Sequence, residues 1–198
     1  MTANVSCTRV MIQVHERSEG NGAPKWMTST VERLLESVPE DLLGGLGSVV
    51  LTTSASIGRG KTHRVGGRKY YRSDCRGFYH AGTRGEVAWI ELVTDNMLAG
   101  WPKPVLALQF ARDVVVSETL YHEVGRHLHT TVGSRGRSHE GAAEDWQRRL
   151  TKGHFSKRYW YLRPLARVMT LLLTAVRRLT SQLSRRASRA AHRGRYTD

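Results

Sequence analysis

Apolar residues recur along this chain at two spacings, and the change from one to the other marks out its elements. Met27, Val31, Leu34, Leu35, Val38 and Leu42 follow three- and four-residue steps and predict a helix. Thr28 or Ser29 is placed to cap it, with Glu32 near the third helical position. Pro39 ends or kinks it, and Gly44-Gly45 closes the element. Residues 47–57, GSVVLTTSASI, are rich in β-branched residues after a glycine break and predict a strand. Residues 76–80 and 86–94 predict two more, and residues 1–12 fit either a short leading strand or loose chain. In EVAWIELVT, Val87, Trp89, Glu91 and Val93 share one face, and Ala88, Ile90, Leu92 and Thr94 share the other. Both faces are largely apolar, so this strand is expected to be covered. Residues 106–116 fit a strand or the start of a helix, with 113–117 as the break. Residues 117–130 predict a helix capped by Ser117, with Leu120, Val124 and His127 or Leu128 at helical spacing. After a Gly- and Ser-rich loop, residues 139–150 predict another, with Ala142, Ala143, Trp146 and Leu150 on its apolar side. The expected class is α+β: a small, mostly antiparallel sheet packed on a central helix and a glutamate helix.

Charge changes this picture at the C-terminal end. The net charge is +14 over 198 residues. Residues 148–198 hold fourteen Lys and Arg against one acidic residue, which leaves 1–147 near +1. The basic pI therefore belongs to the tail and carries no information about the fold. The division expected is a domain over 1–152 and a basic extension over 153–198. Within that extension, 155–162 is aromatic and basic, and 163–189 reads as an amphipathic helix. Its stripe is Leu165, Val168, Met169, Leu172, Val176, Leu179 and Leu183. Two cysteines, Cys7 and Cys75, make neither a disulfide framework nor a Cys-x-x-Cys metal pair. With no signal peptide pattern and no apolar run of membrane-spanning length, the expected location is cytoplasmic, peripheral to a membrane through the tail.

Two stretches invite chemistry. The first, IGRGKTHRVGGRKYY, contains Gly-Lys-Thr but lacks the spacing of a phosphate-binding loop, so a basic hairpin or mobile loop is the better reading. The second is 117–150, SETLYHEVGRHLHTTVGSRGRSHEGAAEDWQRRL. A His-Glu-x-x-His helix sets two imidazoles one turn apart to hold zinc, with the glutamate beside them as base. Here His122-Glu123 opens that pattern and Arg126 stands where the second histidine belongs. Glu140 and Glu144 follow on the next helix.

Residues 117–146 resemble the gluzincin class of zinc metallopeptidases, particularly those with a minimal catalytic domain. The resemblance is carried by Thr119-Leu120-Tyr121-His122-Glu123-Val124-Gly125, by His127 and His129, and by His139-Glu140-Gly141-Ala142-Ala143-Glu144. It implies His122 and Glu140 as ligands of Zn2+, Glu123 as the general base, and Glu144 as a group that orients a ligating imidazole. Strand 86–94 would line the cleft and pair with an extended peptide. Tyr121, His129 and His80 are candidates for oxyanion or leaving-group contacts.

Arg126 departs from that pattern. It lies about 40° around the helix from His122, where the second ligand should be. A guanidinium stays cationic and offers no lone pair, so it does not replace an imidazole. His127 points about 140° away, and His129 is about 10.5 Å along the axis. The guanidinium is instead placed to pair with Glu140 or Glu144 and to offset carboxylates that a metal would otherwise neutralise. Two functions follow. One is a zinc metallopeptidase that hydrolyses peptide bonds with a metal-activated water if the site still binds metal. The other is an inactive pseudo-peptidase that binds a partner. In either, the basic tail suits an anionic membrane surface or nucleic acid.

Overall fold

The computed structural model describes residues 12–17, 22–57, 62–65, 68–83, 85–133 and 139–162. The leading strand expected before residue 12 and the tail helix over 163–189 fall outside them. In chain order the elements are β1 (Gln13–Glu16), α1 (Trp26–Glu36), β2 (Leu46–Thr52), α2 (Ser54–Ile57), β3 (Thr62–Val65), β4 (Arg68–Tyr71), β5 (Gly77–His80), β6 (Ala88–Val93), α3 (Thr94–Leu98), α4 (Lys103–Leu106), α5 (Gln109–Leu128) and α6 (His139–Arg158). The class is α+β. The chain divides into two compact units, Met1–His154 and Phe155–Asp198.

The main sheet has strand order β1-β2-β6-β5, and β3 and β4 form a separate two-stranded ribbon. β1 and β6 both run parallel to β2, and only β5 is antiparallel to its neighbour β6. The sheet is therefore mixed, where the hydropathy pattern suggested mostly antiparallel strands. The reason is connectivity. α1 lies between β1 and β2 and carries the chain back across the sheet, so the two strands enter from the same end. Alternation along a strand reports its covered faces but not its direction.

α1 starts at Trp26, so Thr28 and Ser29 lie inside it and not at its cap. Its first turn instead returns Ser29 and Thr30 hydroxyls to the Trp26 carbonyl. Leu42 falls in a separate 3-10 turn, Glu40–Leu43, beyond Pro39. α5 also begins earlier than expected. It runs unbroken from Gln109, and Ser117, expected as its cap, is buried mid-helix with its hydroxyl on the Val114 carbonyl. The β-branched run Val114–Val116 is weak in helix propensity, but Val115 and Val116 are buried, and packing outweighs that preference.

The core of the first unit is the sheet face closed by α1 and α5. Met27, Val31, Leu34 and Leu35 of α1 meet Val49, Leu51, Ile90 and Leu92 of the sheet and Val116, Leu120, Val124 and Leu128 of α5. A polar network runs beside it. Asp113 on α5 is fully buried, pairs with Arg33 of α1, and accepts from His154 Nε2 of α6 at 3.2 Å. Tyr121 is buried in the same layer, its hydroxyl within 2.7 Å of Ser37 Oγ and 3.1 Å of the Leu34 carbonyl. In the second unit, the rings of Phe155 and Tyr159 stack at 5.4 Å, and Trp160 and Tyr161 are exposed. Among the described residues, no helix is long and apolar enough to cross a membrane.

Candidate functional site

The site is made where α5 passes between β5 and α6, and two glycines allow that approach. A Cβ on Gly77 of β5 would lie 2.7 Å from Thr119 Cγ2 and 3.2 Å from Glu123 Cγ. A Cβ on Gly125 of α5 would lie 2.6 Å from the Ala143 carbonyl oxygen of α6. The close crossing of α5 and α6 at Gly125 and Ala143 brings Glu140 to the face that carries His122 and Arg126.

There Glu140 is held at both oxygens. His122 Nε2 is 3.0 Å from Oε1, and Arg126 Nη2 donates to Oε2 at 3.0 Å. Because a carboxylate only accepts, the His122 proton facing it is on Nε2. Arg126 also points its Nε at Glu123 Oε2, at 3.8 Å, which is charge contact without a hydrogen bond. Neither of those two buried atoms has a hydrogen-bond partner. Glu123 is 4% exposed, and burial raises its pKa above the ordinary carboxylate value. Arg126, His122 and the Tyr79 backbone N–H pull the other way, while Glu140 adds to the rise.

The structure thus brings together His122, Glu123, Arg126 and Glu140. Glu144 does not join them. It is half exposed and pairs with Arg148 one turn along α6 at 3.4 Å. It sits about 40° beyond Glu140 around the helix, toward solvent, whereas Gln147 returns to within about 20° of Glu140 and lines the cleft. The cleft, about 340 Å³, is lined by Cys75, Arg76 and Gly77 beside β5, by Glu118, Thr119, His122 and Glu123 of α5, and by Gln147.

Three other expected contacts are committed elsewhere. Tyr121 is turned into the core, as described above. His80 stacks on Trp89 at 3.8 Å and meets Glu91 at 3.1 Å. His129 begins the π-helical turn His129–Gly133 and meets the His139 ring at 4.4 Å. β6, expected to pair with an extended peptide, is bonded to β2 on one side and β5 on the other, so its edges are used. Its apolar residues on both faces were the sign of an inner strand, and the edge beside the cleft belongs to β5.

His127 has a structural task. Its Nε2 lies 3.1 Å from the Gly44 carbonyl and its Nδ1 lies 3.2 Å from the Tyr79 hydroxyl. A carbonyl only accepts, so Nε2 carries the proton and Nδ1 accepts from Tyr79. Burial lowers the His127 pKa, with the Gly44 carbonyl opposing. The contributions of Gly77, Gly125, Gln147 and Tyr79 left no signal in spacing or composition, because each depends on what faces it across the fold.

The donor set does not fit a resident zinc ion. His122 and Glu140 are adjacent, but the place of the second ligating histidine belongs to a guanidinium, and that guanidinium already binds Glu140. Among the described residues, no group of three or more His, Cys, Asp or Glu side chains is arranged to hold a metal. In comparisons with known proteins, no family model, curated protein or solved structure matches this chain.

Proposed function

We propose that this chain is a pseudo-peptidase, similar in its site to the gluzincin metallopeptidases, that binds a peptide segment in its cleft without hydrolysing it. One observation carries the reading: both oxygens of Glu140 are taken, by His122 and by the Arg126 guanidinium. A cation covalently attached to α5 supplies the charge that a metal would supply to those carboxylates, and it brings no exchangeable water to activate. Beside it lies the cleft between α5 and the segment leading into β5, the end strand of the sheet, and its polar lining of Arg76, Glu118, Thr119 and Gln147 suits the backbone of a peptide segment. The tail over 163–189 belongs to the same reading as an anion-seeking extension of a cytoplasmic, membrane-peripheral protein, on the strength of its charge and apolar stripe.

Zinc content separates this from the hydrolase reading, which the adjacency of His122, Glu123 and Glu140 favours. The full chain purified from zinc-replete medium is expected to carry well under one zinc per chain. Stoichiometric zinc that disappears in His122→Ala would overturn the proposal and support the peptidase. Arg126→His is expected to raise zinc affinity by at least a hundredfold in calorimetric titration, since it completes three ligands. Unchanged affinity would show that the site lacks the geometry of the scaffold proposed here.

A further inference from the structure

The cleft is more acidic than the chain that carries it. Glu118, Thr119, His122 and Glu123 fall within about 140° of one another around α5, so both carboxylates belong to the helix face that lines the cleft. With Glu140 beside them, three carboxylates meet two guanidinium groups, those of Arg76 and Arg126. With His122 neutral, one negative charge is left over, in a chain whose net charge is +14.

Neither cleft carboxylate is well paired. Glu118 meets Arg76 at 3.5 Å, and both side chains are about half exposed. A pair of that kind contributes little and exchanges readily with other cations. Glu123 is 4% exposed, yet among the described residues its Oε2 has no hydrogen-bond partner, and its contact with Arg126 Nε is 3.8 Å long. A buried carboxylate oxygen without a donor is destabilising, and a ligand that brings a donor removes that penalty. Burial also disfavours the ionised form of Glu123, which a cation brought against it would offset. Thr119 and Gln147 each donate and accept, which leaves them to the backbone of a ligand.

We propose that the side chain taken up by the cleft is a lysine or arginine, with Glu118 accepting from its cation at the mouth and Glu123 supplying charge deeper in. This rests on the peptide-binding reading above and names the residue type that such binding selects. An acidic side chain is the poorer match, because the guanidinium of Arg126 is committed to Glu140 and that of Arg76 to Glu118. An apolar one leaves Glu123 Oε2 without a donor.

The experiment is fluorescence anisotropy of the full chain, near neutral pH, with four labelled octapeptide libraries that are random except for a central Lys, Arg, norleucine or Glu. The net charge of the chain favours acidic peptides, so a preference for the basic libraries arises only from a local site. The Lys and Arg libraries are expected to bind about tenfold more tightly than the norleucine library, as one charge-assisted hydrogen bond provides. Glu118→Gln should reduce that ratio about threefold, whereas Arg76→Gln, which frees Glu118, should raise it by about the same factor. These opposite signs separate an effect of charge from a change in fold. Norleucine or glutamate bound as tightly as lysine, or the two variants moving the ratio in the same direction, overturns the inference and leaves the peptide-binding reading intact. Absence of binding by all four libraries overturns both.

Discussion

Arg126 lies between two carboxylates of unequal burial, and this decides how its loss is felt. Glu140 is half exposed and can turn to water, whereas Glu123 is buried and, among the described residues, has the guanidinium as its counter-charge within 4 Å. Arg126→Ala should cost about 2 kcal/mol in urea denaturation, because it strands a buried acid. Adding Glu123→Gln to that variant should recover about half of the loss. Strictly additive effects would show that the two side chains do not interact. His127 makes a separate statement about pH. Its pKa is lowered in the fold, so the unfolded chain binds a proton first as pH falls. Its contribution to stability is complete above the unfolded imidazole value of about 6.5 and is lost as pH falls through it toward the folded value. The pH dependence of the melting temperature between 7 and 5 should therefore be steeper in the wild type than in His127→Gln. Glu123, whose pKa is raised, works in the opposite sense, with stability lost as pH rises above the ordinary carboxylate value.

At the scale of elements, the close crossing of α5 and α6 sets the site. Gly125→Ala would improve helix propensity by up to about 1 kcal/mol if nothing else changed. The added methyl meets the backbone of Ala143, which has no flexible end to move aside. Overpacking of that kind costs about 1–3 kcal/mol, so a net loss of stability is expected on chemical denaturation. The same change pushes α6 outward and should weaken the pairing of Glu140 with His122 and Arg126. β5 has the corresponding constraint at Gly77, where any side chain would meet Thr119 and Glu123. β5 and β6 lie within two residues of where periodicity put them, whereas the strand expected over 47–57 stops at Thr52 and Ser54–Ile57 is helical, and α1 ends at Glu36, before Pro39. The start of α5 was not legible, because its β-branched first half reads locally as strand and is helical only through the packing it makes.

Across the first unit as a whole, Asp113 ties three helices together: its own α5, α1 through Arg33, and α6 through His154. It is fully buried, so the Arg33 guanidinium and not water offsets its charge. Asp113→Asn should cost about 3 kcal/mol, as expected when one member of a buried ionic network is neutralised. The loss should appear as a single cooperative transition at lower denaturant, since α1, α5 and α6 share that network. A variant whose stability is unchanged would mean that the network is already neutral in the fold. The three residues lie 80 and 41 positions apart in sequence, and no local pattern links them.

By itself the sequence determined the α+β class, the positions of most elements, and the candidate set His122, Glu123, Arg126 and Glu140, because periodicity and motif spacing are local properties. It also showed that arginine at 126 withholds a lone pair, which follows from the chemistry of one side chain. Only the tertiary structure decided that the sheet is mixed, that Glu144 turns to Arg148, and that Arg126 reaches Glu140 at hydrogen-bond distance. Those outcomes depend on which end of the sheet the chain returns to and on how closely two helices cross. The first is set by the α1 connection between β1 and β2, and the second by Gly125 and Ala143, whose effect exists only once the helices are packed.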